Sequence, residues 1–488
     1  MGKNKVMIVG IDGATWDLIK PMINSGLLPT FSKIIENGCH GILNSTIPPH
    51  SFVSWTSIFT GVTPAKHGIT DLILREGGRL ITATTRYRMV DSIWKKLSEE
   101  GLYSIVVNDP VTFPPEKING IMTTGLLTPP KANYCFPPDV KKEIEALVST
   151  YECDVGLKYY DLVVKDKRQA YRLLEIFSSK IHETSLYLAR KYDWDVFCTI
   201  LTSIDRLQHY FWNDDSFLEH HYGIVNKFLE SILSVARQKN ANLLILSDHG
   251  FSGIDVVFNV NSWLIKKGFI HIDQFTNFFL KFQNLVGINL IEELRRLAYI
   301  LNFDRDKTNK ITRLLGLFGN KGMSSGLPDR NLARFIANGI YLNNDINSNL
   351  RKRLLFIIKK EMNTLKLGEK QIVKCFEKNE VLKGPFSYRA PDLILVPEKG
   401  FDLSFSLSNS IFTKETTKYG ARINGSHSPQ GIFAAIGPDI KSGSELTSPI
   451  QTWDVPATIF HLLGIVKPHY MDGQIIFQIL KRLHKYIQ

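Results

Sequence analysis

The sequence predicts an α/β sandwich around a mostly parallel central sheet flanked by helices, and three observations predict it. Short continuous apolar runs, of which KVMIVGI at Lys5–Ile11 is the first, recur along the chain, as strands buried on both faces require. Stretches with helical period separate most of them. Asp and His residues stand directly where several of these runs end, and open α/β sheets form their sites at strand ends.

In chain order, a strand at Lys5–Ile11 leads into a helix at Ala14–Asn24. Further strands are expected at Ser104–Asn108, Asp195–Leu201, Asn242–Ser247, Asp392–Val396 and Ile432–Ile436. Helices are expected at Ser92–Glu100, Lys167–Lys191, Phe217–Gln238, Asn349–Leu365 and Val455–Leu463. Two regions break the alternation. Thr112–Asp166, rich in Pro, Lys and Tyr, reads as an irregular excursion near one sheet end. Lys266–Arg334 has no clean strand pattern, is basic and aromatic, and reads as an inserted cap. The domain reading is therefore a core in two parts, residues 1–265 and 335–488, with the cap at 266–334 between them.

The bulk numbers narrow the function classes. A chain of 488 residues with 44% hydrophobic and 22% charged residues can bury a large core, which excludes a disordered protein. Lys and Arg exceed Asp and Glu by 59 to 47, and the +12 balance favours anionic partners such as phosphorylated substrates or a lipid surface. No nucleic-acid-binding signature accompanies that charge. Five dispersed cysteines without a Cys-x-x-Cys pair predict reduced thiols and a cytoplasmic protein. The opening apolar run is broken by Asp12 and reads as a strand rather than a secretory signal. No stretch reaches the roughly 18 apolar residues of a transmembrane helix. The nearest, Phe278–Ile291, is interrupted by Lys281, Gln283 and Asn284.

Four short motifs carry chemistry. Asp12 follows VMIVGI; Asp205 follows DVFCTILTSI, with His209 one helical turn on; Asp248 and His249 follow NLLILS; His427 lies in INGSHSPQG, just before a strand. Three Asp and three His form a mixed oxygen and nitrogen donor set that suits Zn²⁺ best and Mn²⁺ second. A lone S-D-H-G is more often a turn than a site, and a lone loop histidine is more often solvated. The ordered set of four is what points to metal.

That order resembles the type I phosphodiesterase and nucleotide pyrophosphatase branch of the alkaline phosphatase superfamily, and within it a prokaryotic group of phosphohydrolases or phosphomutases. The matching segments are GIDGATWDLI, PPHSFVSWTSIFTGVTPAKHGI, SIDRLQH, LSDHGF, GSHSPQGIFAAIGPDI and TWDVPATIFHLLGI, spanning residues 8 to about 464. The resemblance implies an alkaline-phosphatase-like sandwich with two divalent metal ions. Asp12, Ser51, Asp248 and His249 would hold one ion, and Asp205, His209 and His427 the other. The family nucleophile, usually Thr, falls ten residues before Gly61, on Ser51, which keeps the hydroxyl. The Asn that nucleotide pyrophosphatases carry after H-G-I is missing, since Thr70, Asp71 and Leu72 stand there. A sulfatase is excluded, because Val53 and Trp55 replace that group's Pro and Arg.

The implied activity is metal-dependent hydrolysis of a phosphate ester, most readily a phosphodiester or pyrophosphate, through a phosphoserine on Ser51. The substrate would be a phosphorylated small molecule or a lipid-linked one. A phosphomutase would use the same two-metal site, and an anion-binding protein the same scaffold without the chemistry. Ser51 is expected just before a helix at Val53–Thr60, whose first amides favour a phosphate. Phe52 and Trp55 read as core packing, His67 as structural, and Asp454 as a cap of the helix after it. His50 and Asn108 read as loop and turn residues, while Tyr210, Trp212 and Arg206 can face either core or site.

Overall fold

The computed structural model describes residues 4–271, 331–408, 410–414, 417–418 and 421–481. Its centre is a ten-stranded sheet. The order runs Ser444–Glu445, Cys39–Asn44, Gln430–Ile436, Ala241–Leu246, Lys5–Ile11, Val196–Leu201, Ser104–Asp109, Gly120–Thr124, Cys135–Phe136, with Ile450–Gln451 pairing beside Cys39–Asn44. Lys5–Ile11 lies parallel to both its neighbours, Val196–Leu201 and Ala241–Leu246. Alternate side chains of this strand enter two different cores. Met7, Val9 and Ile11 pack on one face with Phe197 and Leu243, and Val6 and Ile8 on the other with Cys198 and Leu244. Burial on both faces is why the strand reads as an unbroken apolar run.

Gln430–Ile436 is the long exception, running antiparallel to Ala241–Leu246 and to Cys39–Asn44. Its beginning therefore lies at the sheet edge where the parallel strands end. A residue upstream of it reaches the same edge as residues downstream of the others.

The helices at Trp16–Asn24, Ile93–Glu99, Lys167–Lys191, Asp215–Gln238 and Asp454–Leu462 fall where the sequence places them. Two regions differ. Thr112–Asp166 carries the strand Gly120–Thr124, which joins the central sheet parallel to Ser104–Asp109, and the helices Pro138–Val148 and Gly156–Lys165. A five-residue strand among Pro and Lys turns is too short to show a period, so it reads as irregular. Leu393–Pro397 forms, but in a separate antiparallel sheet with Ala333–Ile336, Gly339–Leu342 and Val373–Glu377. The helix Ser348–Thr364 covers this small sheet, and Phe335, Ile358 and Leu395 share a core of their own with Trp263. An apolar run shows that a strand is buried, not which sheet it joins.

Most of the inserted region, 272–330, lies outside the described residues; its flanks are the helix Val260–Lys266 and the strand Ala333–Ile336. All five cysteines are free. Among the described residues, no helix is long and apolar enough to cross a membrane.

Candidate metal centre

Asp12 follows the strand Lys5–Ile11 directly, and Asp248 and His249 follow Ala241–Leu246 after a single residue. Asp205 and His209 lie on the helix Ser203–Phe211, which begins two residues after the strand Val196–Leu201. His427 sits in the short strand Gly425–Ser428, paired with Gly250–Asn259 so that it faces Phe251. Gly250 permits that pairing, because a Cβ there would stand 2.0 Å from the Gln430 carbonyl. Ser51 opens the helix Ser51–Ile58, two residues earlier than the expected start, with His50 as the cap. The His50 Nδ1 accepts the Phe52 N–H at 3.3 Å.

These residues converge. The Ser51 hydroxyl stands 3.3 Å from Asp12 Oδ1 and 3.1 Å from His249 Nε2. His249 Nε2 lies 3.2 Å from Asp248 Oδ2 and 3.6 Å from Asp12 Oδ1. Asp205 Oδ1 lies 3.6 Å from His209 Nε2 and 3.1 Å from His427 Nε2. The structure thus brings together all seven residues that the sequence singles out.

The three histidines share one pattern. The Nδ1–H of His209 donates to the Gly425 carbonyl at 3.0 Å, that of His249 to the Gly250 carbonyl at 2.9 Å, and that of His427 to the Pro49 carbonyl at 3.1 Å. A carbonyl oxygen only accepts, so each Nδ1 carries a proton, and Nε2 is the ring atom turned inward, a lone-pair donor when the ring is neutral. His209 Nε2 and His427 Nε2 face one another at 3.2 Å, an arrangement that a proton or a metal cation between the two nitrogens satisfies. Asp205 Oδ1 and Asp248 Oδ2 are buried and receive no hydrogen bond. Buried acceptors without donors are costly, and a cation is the partner that suits them.

Electrostatics agree. Burial, then the negative charges of Asp248 and Asp205, hold the Asp12 carboxyl well above the usual range. Burial and Asp205 push Asp248 up to about 8. Asp205 is opposed by burial yet is held well below the usual range by His209, His427 and Arg206. Burial, with His249 adding to it, pushes His427 down to about 3. Asp205, His249 and His427 form one group that could hold an ion, and Asp12, Asp248 and His249 another. His249 belongs to both, whereas the resemblance assigns it to the Asp12 group alone.

The other hydroxyls near Ser51 are engaged elsewhere. Ser54 bonds Ser45 and Thr46, Thr56 donates to the Phe52 carbonyl, and Ser57 pairs with His67. His67 is fully buried. Tyr210 packs in the core beside Tyr159 and Tyr160, and Trp212 stacks on Phe251. Asp454 lies in the first turn of its helix and accepts the Gln451 and Gln474 amides, tying two loops instead of capping the helix.

Two supports escape the sequence reading. The Trp55 indole N–H donates to Asp12 Oδ2 at 3.1 Å, although the residue reads only as core. A buried indole needs an acceptor, and its position one turn after Ser51 is the signal that could have shown this. Gln208 Nε2 donates to the Gly13 carbonyl at 2.8 Å, and the Gly13 N–H donates to Asp248 Oδ1 at 3.3 Å. Gly13 has φ 70, and a Cβ there would meet Gln208 Nε2 at 3.2 Å. Arg206, left open by the sequence, lies on Asp205.

Residues 6–429 match the profile of the family described as type I phosphodiesterase / nucleotide pyrophosphatase. No curated protein sequence matches the chain significantly. Among solved structures, the fold is similar to murine ectonucleotide pyrophosphatase / phosphodiesterase 5, both free and as an inactive variant in complex with AMP, and to the human protein of that name. Each shares 14% identity at a TM-score of 0.55, over 98% of this chain and 100% of that one.

Proposed function

From the premise that this chain belongs to the type I phosphodiesterase / nucleotide pyrophosphatase family, and so is a phosphoric ester hydrolase, we propose that it cleaves a phosphodiester or pyrophosphate through a phosphoserine on Ser51. The observation that carries the reading is the cluster of three inward-facing Nε2 atoms and three buried carboxylates, two members of which, Asp12 and His249, touch the Ser51 hydroxyl. Asp12, Asp248, His249 and Ser51 would hold one divalent ion and Asp205, His209 and His427 a second, with Zn²⁺ preferred to Mn²⁺ by the donor set. When bound, such ions stabilise charge on the phosphoryl oxygens and lower the pKa of a coordinated hydroxyl.

The chain's own residues supply the rest. Asp12 Oδ1 and His249 Nε2 orient the Ser51 oxygen and face its proton. The first amides of the helix Ser51–Ile58 offer donors to the phosphoryl group. The Ser51 oxygen bonds phosphorus as the P–O bond to the leaving alcohol or phosphate breaks. Water then cleaves the phosphoserine, returning the hydroxyl and releasing the phosphorylated product. Phe52 packs with Ile69, Leu74 and Val111, and the partly buried Leu72 joins them where the family's Asn is absent. The family reading makes the substrate an ester that carries an organic group, a nucleotide such as the AMP held by the murine structure or a lipid-linked phosphate.

We assign substrate choice to the region 266–334, because the catalytic motifs lie on both sides of it and none within it. The free thiols fit a cytoplasmic setting. The test is elemental analysis of the purified chain, with a screen of mono- and diester phosphates in Zn²⁺ or Mn²⁺. About two ions per chain and chelator-sensitive diester cleavage are expected. Absence of metal together with activity that chelator leaves untouched would overturn the reading.

A further inference from the structure

The guanidinium of Arg206 is charged and almost wholly enclosed, with 12% of its side chain exposed, one residue from Asp205. It is held from two directions. Its Nη1–H donates to Asp205 Oδ2 at 2.9 Å, and its Nε–H donates to Asp154 Oδ1 at 3.3 Å. Its backbone carbonyl accepts the hydroxyl of Tyr159, a residue with no exposed surface, at 3.0 Å. Asp154 and Tyr159 belong to the segment that the sequence reads as an irregular excursion, and they flank the start of the helix Gly156–Lys165.

This arrangement bears on Asp205. With Oδ2 occupied by Arg206, the carboxylate cannot rotate freely, and Oδ1 is the oxygen left facing His209 and His427 without a donor. A cation beside a metal ligand would ordinarily disfavour a metal ion, so the fork works only if its charge is compensated. Asp154 provides that compensation. From this geometry we propose that Arg206 is a positioning residue for the Asp205, His209 and His427 group, and that Asp154 is its anchor. The segment around Asp154 is then a working part of the metal centre, although it holds no ligand.

The inference rests on the two-ion reading above, and its test separates the two. Full-length wild-type, Asp154→Asn, Asp154→Glu and Arg206→Lys proteins are titrated with Zn²⁺ after chelation, followed by calorimetry and by the visible spectrum with Co²⁺. Asp154→Asn is expected to weaken one of two binding events by about 10-fold or more and to leave the other unchanged. Asp154→Glu should restore most of the loss. Arg206→Lys should weaken the same event, because an ammonium keeps the charge and loses the fork. Wild-type affinity at both events in Asp154→Asn, with only a lower melting temperature, would show a purely structural ion pair and overturn the inference. Equal weakening of both events would also overturn it. A wild-type chain that binds no Zn²⁺ would instead strike the two-ion reading itself.

Discussion

The two halves of the centre are built differently. Asp12, Asp248 and His249 stand at strand ends, and Ser51 at the first turn of a helix, and all four are nearly or wholly buried. Their supports, Trp55 and the Gly13 amide, sit beside other members of the same group, Ser51 and Asp12, and bond Asp12 and Asp248 across the centre. Asp205, His209 and His427 are assembled from a helix and from the short strand Gly425–Ser428 that pairs with Gly250–Asn259, and His427 is 16% exposed. Their supports are the Gly425 and Pro49 carbonyls, from ligand-bearing loops, and Asp154 through Arg206, from a segment that holds no ligand. The difference teaches that the nucleophile side is made rigid by the sheet. The other side also leans on a segment that holds no ligand, so substitutions there should act on metal binding before they act on chemistry.

The largest expected effect lies on the rigid side. Ser51→Ala should lower turnover by about 10³-fold or more while the circular dichroism spectrum is kept, and Ser51→Thr should retain appreciable activity. On the assembled side, His427→Ala should weaken one ion by about 10- to 100-fold and lower activity in step, with excess Zn²⁺ restoring part of it. Loss of activity with both ions still bound would erase the distinction between the halves. Trp55→Phe keeps the packing and removes the donor to Asp12 Oδ2. A decrease in kcat of about 10-fold is expected, with metal content unchanged. Smallest of all, Thr56→Ser and Ser57→Ala should alter turnover by less than about 5-fold, since those hydroxyls serve the Phe52 carbonyl and His67. A larger fall at either would mean that the helix presents another face to the substrate.

Much of this was legible in the sequence, for a physical reason. A strand buried on both faces must be apolar throughout, so the point where it ends in Asp12, Asp205 or Asp248 is visible without coordinates. The placement of His427 was less so. It precedes its strand, and only the reversed direction of Gln430–Ile436 brings it to the common edge. The parts that stayed hidden depend on distant pairing. Arg206 meets an aspartate 52 positions away, and Gln208 a carbonyl 195 positions away, and no local period records such contacts. The small sheet around Leu393–Pro397 was hidden for the same reason, because that run is as apolar as a main-sheet strand and nothing local shows that it pairs with Gly339–Leu342 and Val373–Glu377.

The proposed reaction turns on one atom, the Ser51 oxygen, and a trapped intermediate tests its role most directly. Protein quenched in acid during turnover of a diester substrate, digested and read by mass spectrometry, should carry a phosphoryl adduct on the peptide containing Ser51, and Ser51→Ala should carry none. Undiminished turnover in Ser51→Ala, or the adduct on Thr56, would contradict it.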